Sequence, residues 1–318
     1  MEFSLSTRRS ADFNGDNDGD VFSSLVSTRA MFLPPLRIRN IGLLVCVCGF
    51  LAGCGAQMFL RVDRLKVDDR LLYFLGGGGN SFAFLHGAGE AFLSDPKLGP
   101  GANELHGELE GELGRTVRRV LLTHSHGDHV SGLPLYDAPV VLVHPRTRAR
   151  LEALGRHANW VEVDHELLLQ LGAERVRVLS LGGGHTDGDL VALFEARRLL
   201  IVGDLVLEHT EPRIDVAAGG SLLALADTLE RLLGLDFERV LPGHGAPVTR
   251  ADVVHLRDYL RALEAAARAA RRAGLDEATA VQTLQVPGFD DLRSVPFVTS
   301  RETNVRLMLR EVAATPRP

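Results

Sequence analysis

Short apolar runs, each closed by glycine or a polar turn, succeed one another along most of this chain. Residues 61–74 alternate enough to predict an opening strand, with Leu71, Leu72, Tyr73 and Phe74 at its apolar end. Gly76, Gly77, Gly78 and Gly79 follow, then an apolar run at 80–85, a turn at Gly87 and Gly89, and a second run at 91–95, which together read as a hairpin. The glycine run lacks the lysine and the strand-loop-helix setting of a phosphate-cradling loop, so it predicts a flexible turn. A helix is expected over 102–113, a strand over 115–123, a strand over 140–144, a helix over 146–154 and a strand over 174–181. A hairpin at 190–194 and 199–202 ends in Gly203 and Asp204, followed by a helix at 221–234 and a short strand at 239–245. The Ala-, Leu- and Arg-rich stretch 250–272 has helical period, and shorter helices from Asp276 and over 301–312 complete the pattern.

The first 53 residues break this pattern and predict a separate lead segment, leaving 54–318 as one domain. Residues 1–30 are polar and are expected to be a disordered tail. Their Asp12, Asn14 and Asp16 alternate as in a calcium loop, but Asn17 and Ser23 stand where such a loop needs glycine and glutamate. After Met31, which reads as the true start, come Arg37 and Arg39 and then an apolar stretch from Ile41 to Gly53, of secretory-signal length and too short for a stable membrane-spanning helix. It ends in Leu51, Ala52, Gly53 and Cys54, which resembles the lipobox of bacterial lipoproteins. That resemblance implies a signal segment, lipid modification at Cys54 and a membrane-anchored, cell-envelope protein. Gly55, in place of an aspartate after the cysteine, is similar to the pattern of lipoproteins sent to the outer membrane, facing the periplasm.

Composition narrows the chemistry. With 35 Lys+Arg against 41 Asp+Glu and a formal net charge of -6, nothing favours nucleic acid as a partner, and a small-molecule substrate is expected. The 3 cysteines, Cys46, Cys48 and Cys54, all precede the body, so any metal there is held by nitrogen and oxygen. Oligomeric state is not legible.

The densest chemistry lies where the apolar run Val120, Leu121, Leu122 gives way to a turn carrying His124, His126, Asp128 and His129. Imidazole and carboxylate so close together are good ligands for divalent transition metals. Three later strand ends offer more: His185 in a glycine-rich turn with Thr186 and Asp187, Asp204 after Gly203, and His244 after Pro242 and Gly243. If the strand ends converge, His124, His126 and His185 make one three-ligand site and Asp128, His129 and His244 a second, with Asp204 able to bridge them. Three protein ligands with an open position mark a catalytic rather than a structural metal. Two ions about 3.5–4 Å apart can hold a bridging hydroxide, since bound water ionises near pH 7. Asp128 can orient that nucleophile. No Gly-x-Ser-x-Gly elbow is present and no cysteine remains in the body, which argues against a covalent nucleophile.

In order and separation, His124, His126, Asp128, His129, His185, Asp204 and His244 resemble the ligand set of the metallo-β-lactamase superfamily. The resemblance covers residues 65–250. It implies an α+β fold, a four-layer αββα sandwich with the metals at one edge of the sheets, and two zinc ions, with iron or manganese as the alternatives. It also implies that Asp95 supports the site without necessarily binding metal. A dinuclear hydrolase of an ester, thioester, lactone or related bond is expected, with Asp128 as catalytic residue. All seven ligands are shared with glyoxalase II, although its glutathione-binding residues find no match in this tail. Asp204 argues against β-lactamases that lack a bridging aspartate. Leu205, Val206 and Leu207 stand where quorum-signal lactonases carry a tyrosine. Exported metallo-hydrolases are similar through residues 184–189, 214–216 and 219–220, which are expected to shape the pocket mouth.

Two other classes remain as alternatives, a single-iron persulfide dioxygenase and a catalytically inactive envelope binding protein. The intact seven-residue set weighs against both. Seven further histidines, at 86, 106, 144, 157, 165, 209 and 255, belong to no ligand motif, and only His209 is close enough in sequence to Asp204 to suggest substrate contact.

Overall fold

A computed structural model describes residues 61–296 and 298–315. The expectations for residues 1–53, for Met31 and for lipidation at Cys54 lie outside the described residues.

The chain opens with β1 (Val62–Lys66) and β2 (Leu71–Gly76), an antiparallel pair where one strand was expected. The polar run Asp68, Asp69, Arg70 turns the chain, with the Asp68 carboxylate accepting from the Arg70 amide at 2.8 Å. β3 (Ser81–His86) and β4 (Glu90–Ser94) form the expected hairpin, and β5 (Thr116–Leu121), β6 (Val140–Val143) and β7 (Asn159–Glu162) add in parallel to close a seven-stranded sheet. The second sheet has six strands in the order β13-β12-β11-β10-β9-β8, comprising β8 (Glu166–Leu171), β9 (Glu174–Leu179), β10 (Val191–Phe194), β11 (Leu199–Leu207), β12 (Arg239–His244) and β13 (Val248–Thr249). β7 and β8 are edge strands that sequence patterning left unassigned. β7 is short and largely exposed, and β8 turns Leu167, Leu169 and Leu171 inward while Glu166, Leu168 and Gln170 face out.

Apolar side chains separate into three cores. One lies between the sheets and is dominated by Phe82, Phe84, Phe92 and Phe194, whose rings meet at 5.1–6.3 Å between centroids. A second covers the first sheet's outer face with α1 (Gly99–His106), its π-helical continuation Gly107–Glu112, and α3 (Pro145–Ala153). The third packs α4 (Leu222–Leu233), α5 (Arg250–Arg272) and α7 (Arg301–Ala314) on the second sheet, while α6 (Glu277–Thr283) joins α5 to α7. Helices, sheet, sheet and helices thus form the expected layers. α5 has the bounds its periodicity predicts, sealed by a capping box between Thr249 and Asp252.

β11 is the element that positions the site. Every one of its nine residues is buried, as befits a strand enclosed on both faces. Yet it carries a carboxylate, Asp204, just after the register shift at Gly203. Gly203 adopts φ 54 and lies against Thr123, where a Cβ would approach the Thr123 hydroxyl to 2.5 Å. That close approach brings the end of β5 against the middle of β11, from the opposite sheet.

Candidate metal centre

Where β5 meets β11 the structure brings together all seven residues of the expected ligand set. His124, His126, His185 and Asp204 present ligand atoms within 4.8 Å of one another, and Asp128, His129 and His244 form a second such group. His124 and His126 leave the end of β5, and Asp128 and His129 sit on the single turn α2 (Gly127–Val130) that follows. His185 lies in the loop between β9 and β10, and His244 ends β12.

Four of the five imidazoles are fixed by their second nitrogen. Asp95 governs two of them: it accepts from His129 Nδ1 at 2.9 Å and from the Thr123 hydroxyl at 2.7 Å. With its proton committed to Asp95, Thr123 Oγ1 accepts from His124 Nδ1 at 3.1 Å. His185 Nδ1 donates to the Arg213 carbonyl at 2.6 Å. His126 is reversed, donating from Nε2 to Asp215 at 2.8 Å. At His124, His126 and His185 these contacts leave an unprotonated nitrogen facing inward, the tautomer a metal requires, while at His129 the bond to Asp95 turns Nε2 inward.

The inward atoms are badly served by protein alone. His126 Nδ1 and His185 Nε2 face each other at 3.0 Å, and if both imidazoles are neutral two lone pairs meet there. Both oxygens of Asp204, together with His124 Nε2 and His129 Nε2, are buried without a hydrogen-bond partner. Around Asp204 stand four imidazoles, His129 at 3.3 Å, His244 at 3.6 Å, His185 at 3.7 Å and His124 at 3.9 Å. Leaving such groups unpaired is expensive. Divalent cations would satisfy all of them, so the donor set fits two metal ions.

Titration behaviour separates the clusters. Burial pushes His124 well below the usual histidine range, with the neighbouring His129 and His185 adding to the effect. Burial takes His185 down to about 4, against the pull of Asp204. His129 goes the other way: burial opposes its charge, but Asp204 and Asp95 outweigh it and hold the pKa well above the ordinary value. Asp128 and Asp204 resist the upward push of burial and lie below the carboxylate range. His244 and His129 are responsible at Asp128, and His244, His129 and His124 at Asp204.

Several supporting residues escaped the sequence reading. Asn80 spans the sheets: its side-chain amide donates to Tyr73 Oη at 2.6 Å, the Gly245 carbonyl at 2.8 Å and the Pro242 carbonyl at 3.1 Å, gripping both sides of His244. Lys97 is fully buried and donates to the carbonyls of Gly76, Gly79 and Phe74 at 2.5, 2.7 and 2.9 Å. Burial lowers its pKa to about 7, yet three acceptors match the three N–H groups of an ammonium. Lys97 thereby fixes the glycine turn, which is a close-packed wall rather than a flexible loop. Gly79 donates its amide to the Asp128 carbonyl at 3.1 Å, and a Cβ there would reach the His129 ring at 2.5 Å. A lone asparagine and a lone lysine carry no periodic signal. The glycine run was visible, but its packing partners are distant in sequence.

Other flagged residues lie outside the clusters. Asp187 pairs with Arg146 and Arg150 of α3, which ties its loop to the first sheet's helix layer. His209 has its imidazole 3.9 Å from Asp252 on α5 and its carbonyl bonded to the Arg293 amide, and it joins neither cluster.

Two outcomes follow for metal binding. Gly79→Ala displaces His129, so zinc content measured by elemental analysis should fall from two ions per chain toward one; two retained ions would contradict the packing. Because Asp204 and Asp95 favour the protonated form of His129 while burial disfavours it at His124 and His185, loading of the second cluster should release more protons than loading of the first. The second cluster should also lose its ion first as the pH falls. Calorimetric zinc titration in buffers of different ionisation enthalpy reads the proton count.

Comparison with known proteins agrees with this geometry. The family model described as the metallo-beta-lactamase superfamily matches residues 75–244, more than half of the 318 residues. A Streptococcus pyogenes protein described as "Probable metallo-hydrolase" is 29% identical over 151 residues, 41% of this chain and 65% of its own length. The Bacillus cereus metallo-beta-lactamase type 2 is 24% identical over 173 residues, 52% of this chain and 66% of its own. The chain thus spans just under two thirds of the length of these curated relatives. Among solved structures, a metallo-beta-lactamase from Pontibacter korlensis superposes with a TM-score of 0.56 at 19% identity, over 63% of this chain and 99% of that one. The DIM-1 metallo-beta-lactamase does so with 0.56 at 18%, over 63% and 97%. From the family match, the fold and the ligand geometry together, the chain belongs to the metallo-beta-lactamase superfamily.

Proposed function

We propose that this protein is a metal-dependent hydrolase that uses a dinuclear centre, zinc in the first instance, to cleave an ester, thioester or lactone bond in a small molecule. The observation that carries this reading is Asp204, whose two oxygens are buried without a donor between two groups of three ligands. The names of the Streptococcus and Bacillus relatives support it at the level of metal-dependent hydrolysis.

Two bound cations would supply Lewis-acid polarisation of the scissile carbonyl and a water ionisable near neutral pH. The chain's own residues set where that chemistry takes place. His124, His129, His185 and Asp204 have side chains at most 1% exposed, whereas His126, Asp128 and His244 are 15%, 20% and 37% exposed. These last three define the open rim, so substrate enters over them. Asp128 stays ionised at neutral pH, with Oδ2 3.2 Å from His244 Nε2 and 3.7 Å from His129 Nε2. A carboxylate there can accept a hydrogen bond from water and orient it for attack. Asp95 acts on the site only through the imidazoles it orients.

We propose separately that the protein is lipid-anchored in the cell envelope through Cys54. This assignment rests on the apolar segment and the four residues that end it, and mass spectrometry of the membrane-extracted amino terminus tests it.

Replacing Asp128 or His126 with alanine should lower kcat/KM on any accepted ester by at least about a hundredfold, with the far-UV circular dichroism spectrum preserved. Wild-type turnover in either variant contradicts the two-metal assignment.

A further inference from the structure

The loop that orients the first cluster has a second face. Toward the metal centre it offers the Arg213 carbonyl to His185 and the Asp215 carboxylate to His126. On its other side Arg213, Ile214 and Val216 line a groove of about 290 Å³, closed by residues of α7 and of the segment before it, among them Val298 and Leu307. Its size is near the lower bound for small-ligand sites.

The groove is amphipathic. Val216 and Val298 are 59% and 50% exposed, an apolar pair presented to solvent beside the partly buried Ile214 and Leu307. Three arginines line the same space, and their partners differ. Arg306 is bonded to Glu277 and Glu302, and Arg310 to Glu277. Arg213 is half-buried and, among the described residues, has no side-chain hydrogen bond or ion pair. A guanidinium presents five donors in a planar fork that suits a carboxylate, and holding one half out of water without an acceptor is unfavourable. An aliphatic chain ending in a carboxylate would answer both halves of the groove, covering the valines and pairing with Arg213.

We propose that this groove is a subsite for the acyl part of the substrate and selects an aliphatic chain of a few carbons that ends in a carboxylate. The inference rests on the hydrolase reading for its substrate, while the groove itself is independent of that reading. One short loop forms both the groove wall and the support of His126 and His185, which couples the groove to the first cluster.

Two matched chromogenic esters test it, 4-nitrophenyl hydrogen adipate and 4-nitrophenyl hexanoate, which share chain length and scissile bond. With the zinc-loaded full chain, kcat/KM should favour the adipate. The ratio should fall at least about tenfold in Arg213→Met, chiefly through KM, with partial recovery in Arg213→Lys. Val216→Glu, at an exposed position, should erase the preference by placing a carboxylate at the rim, and it guards against misfolding of the Arg213 variants. A ratio near one in the wild type, or one that none of the substitutions moves, overturns the proposal. Calorimetric titration of chelator-treated full chain with free hexanoate gives a readout that needs neither metal nor turnover. Binding that Arg213→Met weakens at least about tenfold supports the groove, and no binding overturns it. If neither ester is hydrolysed but hexanoate binds through Arg213, the hydrolase reading fails and the groove stands.

Discussion

The structure depends on one buried carboxylate. Asp204 sits in the middle of a strand that is otherwise apolar and wholly enclosed, and neither of its oxygens has a hydrogen-bond donor. Placing an ionised group there would cost several kcal/mol if nothing answered its charge. The histidines around it cannot all answer by protonation, since burial holds His124 and His185 neutral. Cations resolve the conflict. Loading of the site would therefore be coupled to folding of the edge: the sheets deliver the ligands, and metals would satisfy groups that the sheets have buried.

The surrounding shell makes physical sense on the same terms. Asp95, Thr123, the Arg213 carbonyl and Asp215 set which nitrogen points inward in His129, His124, His185 and His126. Asn80 holds the end of β12 to the β2–β3 turn, and Lys97 holds that turn against α2. Asp95 and Lys97 both adopt positive φ, 50 and 61, which non-glycine residues seldom do. Backbone strain of this kind persists where the surroundings overdetermine it, and here it lies directly behind the metal centre. Glu211 is buried and bonded to Tyr259, Arg301 and Asn304, so the C-terminal helices brace the loop that carries Arg213 and Asp215.

How much of this was legible depended on whether the signal was local. The ligand cluster from His124 to His129 announces itself, because four metal-binding side chains fall within six positions after an apolar run. α5 was legible to the residue, because twenty-three residues of one period leave little ambiguity. β7 and β8 were not, since β7 buries too little to impose a pattern and the exposed Leu168 masks the alternation of β8. The opening strand was read as one because the turn at Asp68 to Arg70 is compact and bounded by apolar residues on both sides. The glycine run illustrates the general limit most clearly. Four consecutive glycines predict freedom, but Gly79 is required by contact with a histidine fifty positions away, and Gly77 by contact with Gly101. Close approach between distant segments leaves a residue type in the sequence and no indication of its partner.

The central claim is that two cations share Asp204. Anomalous diffraction from a zinc-loaded crystal, collected on both sides of the zinc absorption edge, tests it without assuming any substrate. The account predicts two peaks per chain, one among His124, His126 and His185 and one among Asp128, His129 and His244, with Asp204 reaching toward both. A single peak, or two peaks of which neither adjoins Asp204, would contradict it.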